Sequence, residues 1–445
     1  MRIIVVGAGE VGSNIAGNLD DDHEVVVIDT DEDRVDAITY ECDVMALEGD
    51  GTSGAVLEEA GIEVADLVIA STDDDETNIV VCGAAKTVDD PFTIARVKKT
   101  DLLRTWERTE EAFGVDVMVC TDLYTAETIV DIVNLPGARD VGSFANGVVQ
   151  MAEFGIDADS PIVGETVSEA DRFESLTFAA LIREDEVVIP SGETVIEDGD
   201  ELVVIGSAES TREFAGELTP LPTVEQASEV VIIGGSEIGY QTARLLEADG
   251  LEPRLVERNP RRARKLAEQL PGTLVLESDA TDIDFLVREH VADADIVIAA
   301  LESDEKNLLV SLLAKRIGVE RTLGVVEYGE YVDLFETVGM DVAVNPRLVT
   351  AEEITRFTRE QRTENLAMLD HDRAEVLEIE VGEDSILLGA SLREAMAELP
   401  DGVVVGAITR DGEFITPRGE TVLETGDHVV VFVDTMVLDA VAAVL

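Results

Sequence analysis

Three glycines, Gly7, Gly9 and Gly12, stand in the pattern Gly-x-Gly-x-x-Gly directly after the short apolar run Arg2–Val6 and at the head of a segment with helical periodicity. A glycine at 7 permits a tight turn, one at 9 lets the backbone approach a pyrophosphate, and one at 12 lets the helix pack closely on the strand. The N–H groups and positive dipole end of that helix then face the phosphates. A second apolar run ends at Asp29, 17 residues after Gly12. A carboxylate there accepts hydrogen bonds from both ribose hydroxyls and repels a 2′-phosphate, so the pattern favours NAD(H) over NADP(H).

Further residues fall at the ends of later strands, the sheet edge where such folds bind ligands. Asp50 and Thr52 follow the third expected strand and either contact ligand or cap the next helix. Ser71 and Thr72 follow the fourth, as contacts or as a polar turn. Arg96, Lys98 and Lys99 follow the fifth, placed to meet phosphate oxygens or to start a solvated helix.

These residues need a scaffold, and the chain supplies one twice. Ile4-Val-Val-Gly-Ala-Gly-Glu-Val-Gly12 returns as Val231-Ile-Ile-Gly-Gly-Ser-Glu-Ile-Gly239, and Asp75-Glu-Thr-Asn78 returns as Asp304-Glu-Lys-Asn307. Pro190–Val204 matches Pro417–Val431 at 10 of 15 positions. The offset stays near 228 throughout, so one unit is written twice.

Within each unit, short apolar runs alternate with helix-period segments, which predicts βαβ units and a parallel sheet. In the first unit strands are expected near 2–6, 24–28, 43–47, 66–70, 92–96 and 115–119. Short strands broken by Gly and Pro turns follow, the pattern of a small α+β lobe. The fold class is therefore α/β, with two tandem Rossmann-like parallel-sheet domains, each followed by a small α+β lobe. The boundaries read 1–134, 135–220, 228–360 and 374–445. The segments 135–147 and 213–228, the latter holding Pro220 and Pro222, read as linkers and natural hinges; 361–373 is a polar connection.

The second copy departs from the first. Ser236 replaces Gly9, Val325 replaces Arg96, and Glu327-Tyr328 replace Lys98-Lys99. Glu257 keeps the acid, 18 residues after Gly239, and Asp279 repeats Asp50. A basic cluster, Arg254, Arg258, Arg261, Arg262, Arg264 and Lys265, reads as an exposed helix face or a phosphate patch. The two sites are expected to be unequal, the second binding NAD(H) weakly or preferring another ligand.

The 445 residues carry 32 Lys+Arg against 96 Asp+Glu, a net charge of −64. That charge excludes nucleic acid as a partner and argues against docking on anionic lipid. Only six of the basic residues are Lys, and the balance resembles proteins of salt-accumulating halophiles, where molar salt screens the self-repulsion. No run approaches the ~20 apolar residues of a membrane helix. The chain enters a strand at once, so no signal peptide is expected. Cys42, Cys82 and Cys120 suit free thiols in a reducing compartment, and the scattered His residues have no metal-ligand spacing.

The segments Gly7–Gly12, Glu48-Gly-Asp-Gly-Thr52, Thr72-x-x-x-Glu76-x-Asn78 and Ile94-Ala-Arg96, followed by the small lobe and then repeated, resemble the Trk-type potassium-uptake regulatory proteins, the TrkA family. The resemblance implies tandem regulator-of-potassium-conductance (RCK) domains and no chemistry. It implies a cytoplasmic homotetrameric ring that binds NAD(H), with ATP or ADP as further candidates. Such a ring gates a Trk-type membrane potassium-translocating subunit and lies at the membrane only through that partner. The family's nucleotide contacts fall on Gly7, Gly9, Gly12, Asp29, Asp50, Thr52, Thr72 and Arg96. Two alternatives remain: an NAD-dependent oxidoreductase, and a nucleotide-sensing subunit of another transporter. A dehydrogenase needs a general acid or base beside the nicotinamide, and neither small lobe offers a His or Lys beside an Arg and a carboxylate.

Overall fold

A computed structural model describes residues 1–20, 23–108, 112–183, 186–218, 229–359, 365–368, 374–382, 385, 388–397, 399–400, 402–410 and 412–437. The linker prolines Pro220 and Pro222 lie outside the described residues, as does the polar connection apart from one short strand within it.

Six strands form the first sheet: β1 Arg2–Val6, β2 Glu24–Asp29, β3 Met45–Glu48, β4 Leu67–Ala70, β5 Phe92–Val97 and β6 Val117–Cys120. Their order is β3-β2-β1-β4-β5-β6, and every pairing is parallel. The chain reverses direction across the sheet between β1 and β4, which opens a crevice at their carboxyl ends. Ile3 to Val6 and Val25 to Ile28 are continuous apolar runs because both faces of such a sheet are covered by helices. The core combines Ile4, Val26, Val68 and Ala95 with Val81, Cys82 and Ala85 of the helix Asp75–Val88.

The small lobe follows as β7 Ala138–Phe144, β8 Val149–Gly155, β9 Leu176–Arg183, β10 Glu186–Val188 and β11 Glu201–Ser207. They form an antiparallel sheet ordered β10-β9-β11-β8-β7. The expected hinge 135–147 is thus corrected: most of it is strand β7, paired with β8 from Ala138↔Phe154 to Phe144↔Val149. The second expected hinge, 213–228, begins inside the helix Ala208–Leu218, whose buried Phe214 meets Phe154, Phe173 and Phe178 edge-on. Gly and Asn suggested an irregular segment at 136–147; a 3₁₀ turn at Ala145–Gly147 absorbs the special backbone, with φ of 49° at Ala145 and 85° at Gly147.

The second half repeats the plan. Its parallel sheet is β12 Val230–Ile233, β13 Arg254–Glu257, β14 Leu274–Glu277, β15 Ile296–Ala299, β16 Arg321–Val325 and β17 Val342–Val344, ordered β14-β13-β12-β15-β16-β17. Its antiparallel sheet is β18 Asn365–Met368, β19 Ala374–Glu380, β20 Val403–Arg410, β21 Glu413–Ile415 and β22 His428–Asp434.

Like lobes pack with like. One compact unit holds 1–130 and 229–355, and the other holds 131–228 and 356–445. In the first unit, Thr100 Oγ donates to Glu237 (3.0 Å) and the hydroxyls of Thr121 and Thr350 meet at 3.0 Å. In the second unit, one apolar core draws Phe144, Met151 and Val203 from one small sheet and Val376, Val430 and Phe432 from the other.

A candidate nucleotide site on the first lobe and its altered copy

Gly7 has φ +108°, a conformation that favours glycine, and a Cβ there would stand 3.0 Å from the Thr72 amide. Gly12 lies in the first turn of the helix Glu10–Gly17, and a Cβ on it would lie 1.8 Å from the Gly7 carbonyl oxygen. Gly12 therefore sets how closely helix and strand pack. Gly9 caps this helix without any side-chain hydrogen bond, and a Cβ on it would meet only Arg34 Nη1 at 3.5 Å. The space above the helix N-terminus stays open to a ligand.

Asp29 is 9% exposed and held by backbone donors: Ala8 N–H to Oδ2 at 2.6 Å and Asp31 N–H to Oδ1 at 2.9 Å. It joins the glycine loop to the end of β2, while Asp31 caps the next helix. Asp50 closes a local turn, accepting from the amide and hydroxyl of Thr52 at 2.9 and 2.7 Å. Those bonds hold its carboxyl below the usual carboxylate range, so it stays ionised. The cap of the following helix is Ser53, leaving Asp50 facing the crevice.

Gly7, Gly9, Asp29, Asp50, Thr52, Ser71, Thr72 and Arg96 all line one cavity of about 800 Å³. Gly12 lies behind its wall, and Lys98 and Lys99 are not among the lining residues. Lys99 instead pairs with Glu76 at 2.6 Å. Arg96 is 3% exposed; its Nε donates to Thr121 Oγ at 3.1 Å and Nη1 reaches Asp73 at 3.5 Å. Its Nη2 is buried without a hydrogen-bond partner, an unsatisfied donor on a residue that lines the cavity.

Three structural supports escaped the sequence reading. Asn78, fully buried, accepts from Thr72 N–H and hydroxyl (2.9 and 2.6 Å) and donates to the carbonyls of Thr72 and Arg96 (both 2.9 Å). It ties the ends of β4 and β5 together and so positions both site residues. Its recurrence as Asn307 was the available signal; Asn307 makes the matching bonds to Leu301 and Val325. The other two are Tyr328 and Arg347, which reach the first cavity from the second lobe. Arg347 Nη1 donates to Glu10 at 2.6 Å, and its guanidinium lies 5.5 Å from the Tyr328 ring centre. Nothing local in their sequence marks them, because the first lobe decides their role, with Glu10 lying 337 residues before Arg347.

The copy keeps the frame and changes the mouth. Gly234 has φ +115°, and Glu257 accepts from Gly235 and Asn259 amides at 3.0 and 2.6 Å. Asp279 accepts from Thr281 as Asp50 does from Thr52. Glu257 and Asp279 line a separate cavity of about 480 Å³, whose lining comes from the second lobe alone. Ser236, in place of Gly9, caps its helix by accepting from Gly239 N–H at 3.1 Å. A donor left free on the first lobe is thereby satisfied internally. Of the basic cluster, Arg258 and Arg262 line this cavity, Arg262 donating to the Gly235 carbonyl at 2.8 Å; Arg254 pairs with Glu229 instead.

The cysteines are free. Burial pushes the Cys82 thiol up to about 12 and that of Cys120 to about 11, so neither is a nucleophile near neutral pH. No group of metal-binding side chains occurs among the described residues.

Comparison with known proteins follows this division. The TrkA-N domain model matches residues 3–121 and again 230–346, and the TrkA-C domain model matches 151–219 and 376–445. The chain belongs to the TrkA family. This TrkA-family chain is 35% identical over 440 residues to the Trk system potassium uptake protein TrkA homolog 1 of Methanosarcina mazei, covering 97% of each. It is 36% identical over 432 residues to the homolog of Archaeoglobus fulgidus, again 97% of each. The TrkA of Halomonas elongata is 33% identical over 442 residues, 97% of this chain and 96% of that one. In fold it resembles the GsuK RCK domain (20% identical, 99% and 95% covered, TM-score 0.59). It also resembles the GsuK channel bound to NAD (19% identical, 99% and 79% covered, TM-score 0.59).

Proposed function

We propose that the protein is a nucleotide-responsive regulatory subunit of a potassium-uptake system. It binds and switches; it is not an enzyme. The first site takes NAD(H), with ADP or ATP as competing ligands, through the Gly7–Gly12 loop, Asp29, Asp50, Thr52, Thr72 and Arg96. The copy, built around Glu257 and Asp279, is the weaker or differently selective site.

One observation carries this reading: the first cavity is walled by residues of both Rossmann-like lobes, with Tyr328 and Arg347 opposite the glycine loop. A ligand there touches two bodies at once. Two ligands that fit the lobes differently bias their arrangement only by their difference in affinity. A coupling of about 1–3 kcal/mol, or 5–150-fold, suffices for regulation. Its family relatives in Methanosarcina and Halomonas are Trk system potassium uptake proteins, which supports the potassium assignment.

Among the described residues no helix is long and apolar enough to cross a membrane. The reading assigns the ion pathway to a Trk-type membrane subunit and places this chain in the cytoplasm against it. Two Rossmann-like lobes per chain suit a homotetramer with eight lobes in one ring. The test is co-expression with such a subunit and potassium flux in vesicles. The expected result is co-purification in about 2 M KCl and a flux that changes when NADH replaces NAD. Flux indifferent to both nucleotides and to the added chain would refute the assignment.

A further inference from the structure

Arg347 belongs to the second lobe, yet its guanidinium stands at the mouth of the first site. Its Nη1 meets Glu10, and its Nε is buried with no hydrogen-bond partner, its nearest paired carboxylate being that of Glu327 at 3.9 Å. The Tyr328 ring lies beside it at 5.5 Å and keeps the cation in the cavity. Arg96 lines the same cavity from the first lobe with a buried, unpartnered Nη2. Burial disfavours the protonated form of Arg96, and the Arg347 charge adds to that effect against the pull of Asp73. The two guanidiniums thus line one cavity beside the carboxylates of Asp73, Glu10 and Glu327, and each keeps one buried N–H without a hydrogen-bond partner for an incoming anion.

Glu10 is the first residue of the glycine-loop helix, so its carboxylate stands where a ligand phosphate would approach. It also accepts from Gly329 N–H of the second lobe at 2.9 Å. A phosphate at this helix N-terminus repels Glu10 and offers Arg347 an acceptor of higher charge.

We propose that Arg347 exchanges Glu10 for a phosphate of the nucleotide bound at the first site, so that occupancy removes one of the two bonds by which Glu10 latches the lobes together. This rests on the reading of that cavity as a nucleotide site, and it makes Arg347 and Glu10 opposing determinants of affinity. The arginine bond between lobes is not repeated at the second site: Glu237, the counterpart of Glu10, accepts from Thr100 and Gln241 at 3.0 and 2.8 Å and pairs at 3.8 Å with Arg262 of its own lobe, while the counterpart of Arg347 is Asp122.

The test is calorimetric titration of the full-length chain with NADH and with ADP in about 2 M KCl. Arg347→Met should weaken binding about 10–100-fold, the effect of losing a charge-assisted bond to phosphate. Glu10→Gln should tighten it several-fold, and that gain should be clearly smaller in the Arg347→Met background, where only the direct repulsion of phosphate by Glu10 is left to relieve. Asp29→Ala is the control for the site itself. Should Asp29→Ala weaken binding while Arg347→Met does not, the exchange is refuted and the nucleotide site stands. An unchanged affinity in Asp29→Ala overturns the site and the exchange together. Should Arg347→Met not fold, Glu10→Gln decides alone: unchanged or weaker binding refutes the exchange.

Discussion

Asp122 and Arg347 occupy the same place in the two lobes, each the second residue of the helix that follows the last strand of its parallel sheet. Arg347 answers Glu10 with a positive charge. Asp122 instead feels the negative charge of Glu237, the counterpart of Glu10. The contact between lobes is therefore a pseudo-symmetric pair of positions with opposite electrostatics.

Burial, with Glu237, Glu327 and Asp75 adding to it and Lys98 opposing, pushes the Asp122 carboxyl up to about 7. An acid raised in the folded state binds more protons there than in the unfolded chain. Stability is then full below about 4, falls as pH rises through the window to about 7, and is flat beyond. Melting curves from pH 5.5 to 8.5 should show a falling midpoint, and Asp122→Asn should remove much of the slope. An identical slope in the variant would show that Asp122 is ionised throughout.

Gly9 and Gly12 should separate ligand binding from folding. Gly12→Ala places a methyl group 1.8 Å from the Gly7 carbonyl and should lower stability by about 1–3 kcal/mol or more. Gly9→Ala has room beside Arg34 and should leave the melting midpoint nearly unchanged while weakening NADH. Equal stability losses in both variants would contradict this division of roles.

Asn78→Ala leaves buried partners at Thr72 and Arg96 unsatisfied, a cost of about 2–4 kcal/mol in urea unfolding. Asn307→Ala should cost a similar amount, since it makes the same staple. Only the Asn78 change should also reduce NADH affinity at the first site. A pair of mild losses, each under about 0.5 kcal/mol, would mean that the strand ends hold without the staple.

Ser236→Gly should cost only a few tenths of a kcal/mol, because glycine is itself a tolerable N-cap. It removes the Ser236 side chain from the lining of the second cavity and leaves the Gly239 N–H uncapped. NADH binding to the second site, measured in a chain whose first site carries Asp29→Ala, should rise. No change would place the asymmetry of the sites elsewhere than at this cap.

Much of the fold was legible because its signals are local. Continuous apolar runs mark buried parallel strands, and the glycine spacing marks the loop between β1 and its helix. The duplicated frame was equally plain, since Gly7–Gly12 and Gly234–Gly239 repeat in register. What escaped was non-local. Strand β7 was hidden because Gly and Asn in 136–147 suggested irregular chain, while its pairing partner β8 supplies the structure. Arg347 and Tyr328 were hidden because only the packing of lobe on lobe brings them to the first cavity. Lys98 and Lys99 left two readings open, phosphate contact or solvated helix start; Lys99 pairs with Glu76 at 2.6 Å and neither lysine lines the first cavity.

By the proposed function a nucleotide binds the first site and leaves it chemically unchanged. Titration of the intact chain with NADH in about 2 M KCl, followed by recovery of the ligand, tests it most directly. Binding should be saturable with one tight site per chain, that site should be lost in Asp29→Ala, and NADH should be recovered unoxidised. Binding that survives Asp29→Ala, or turnover of the recovered nucleotide, would contradict it.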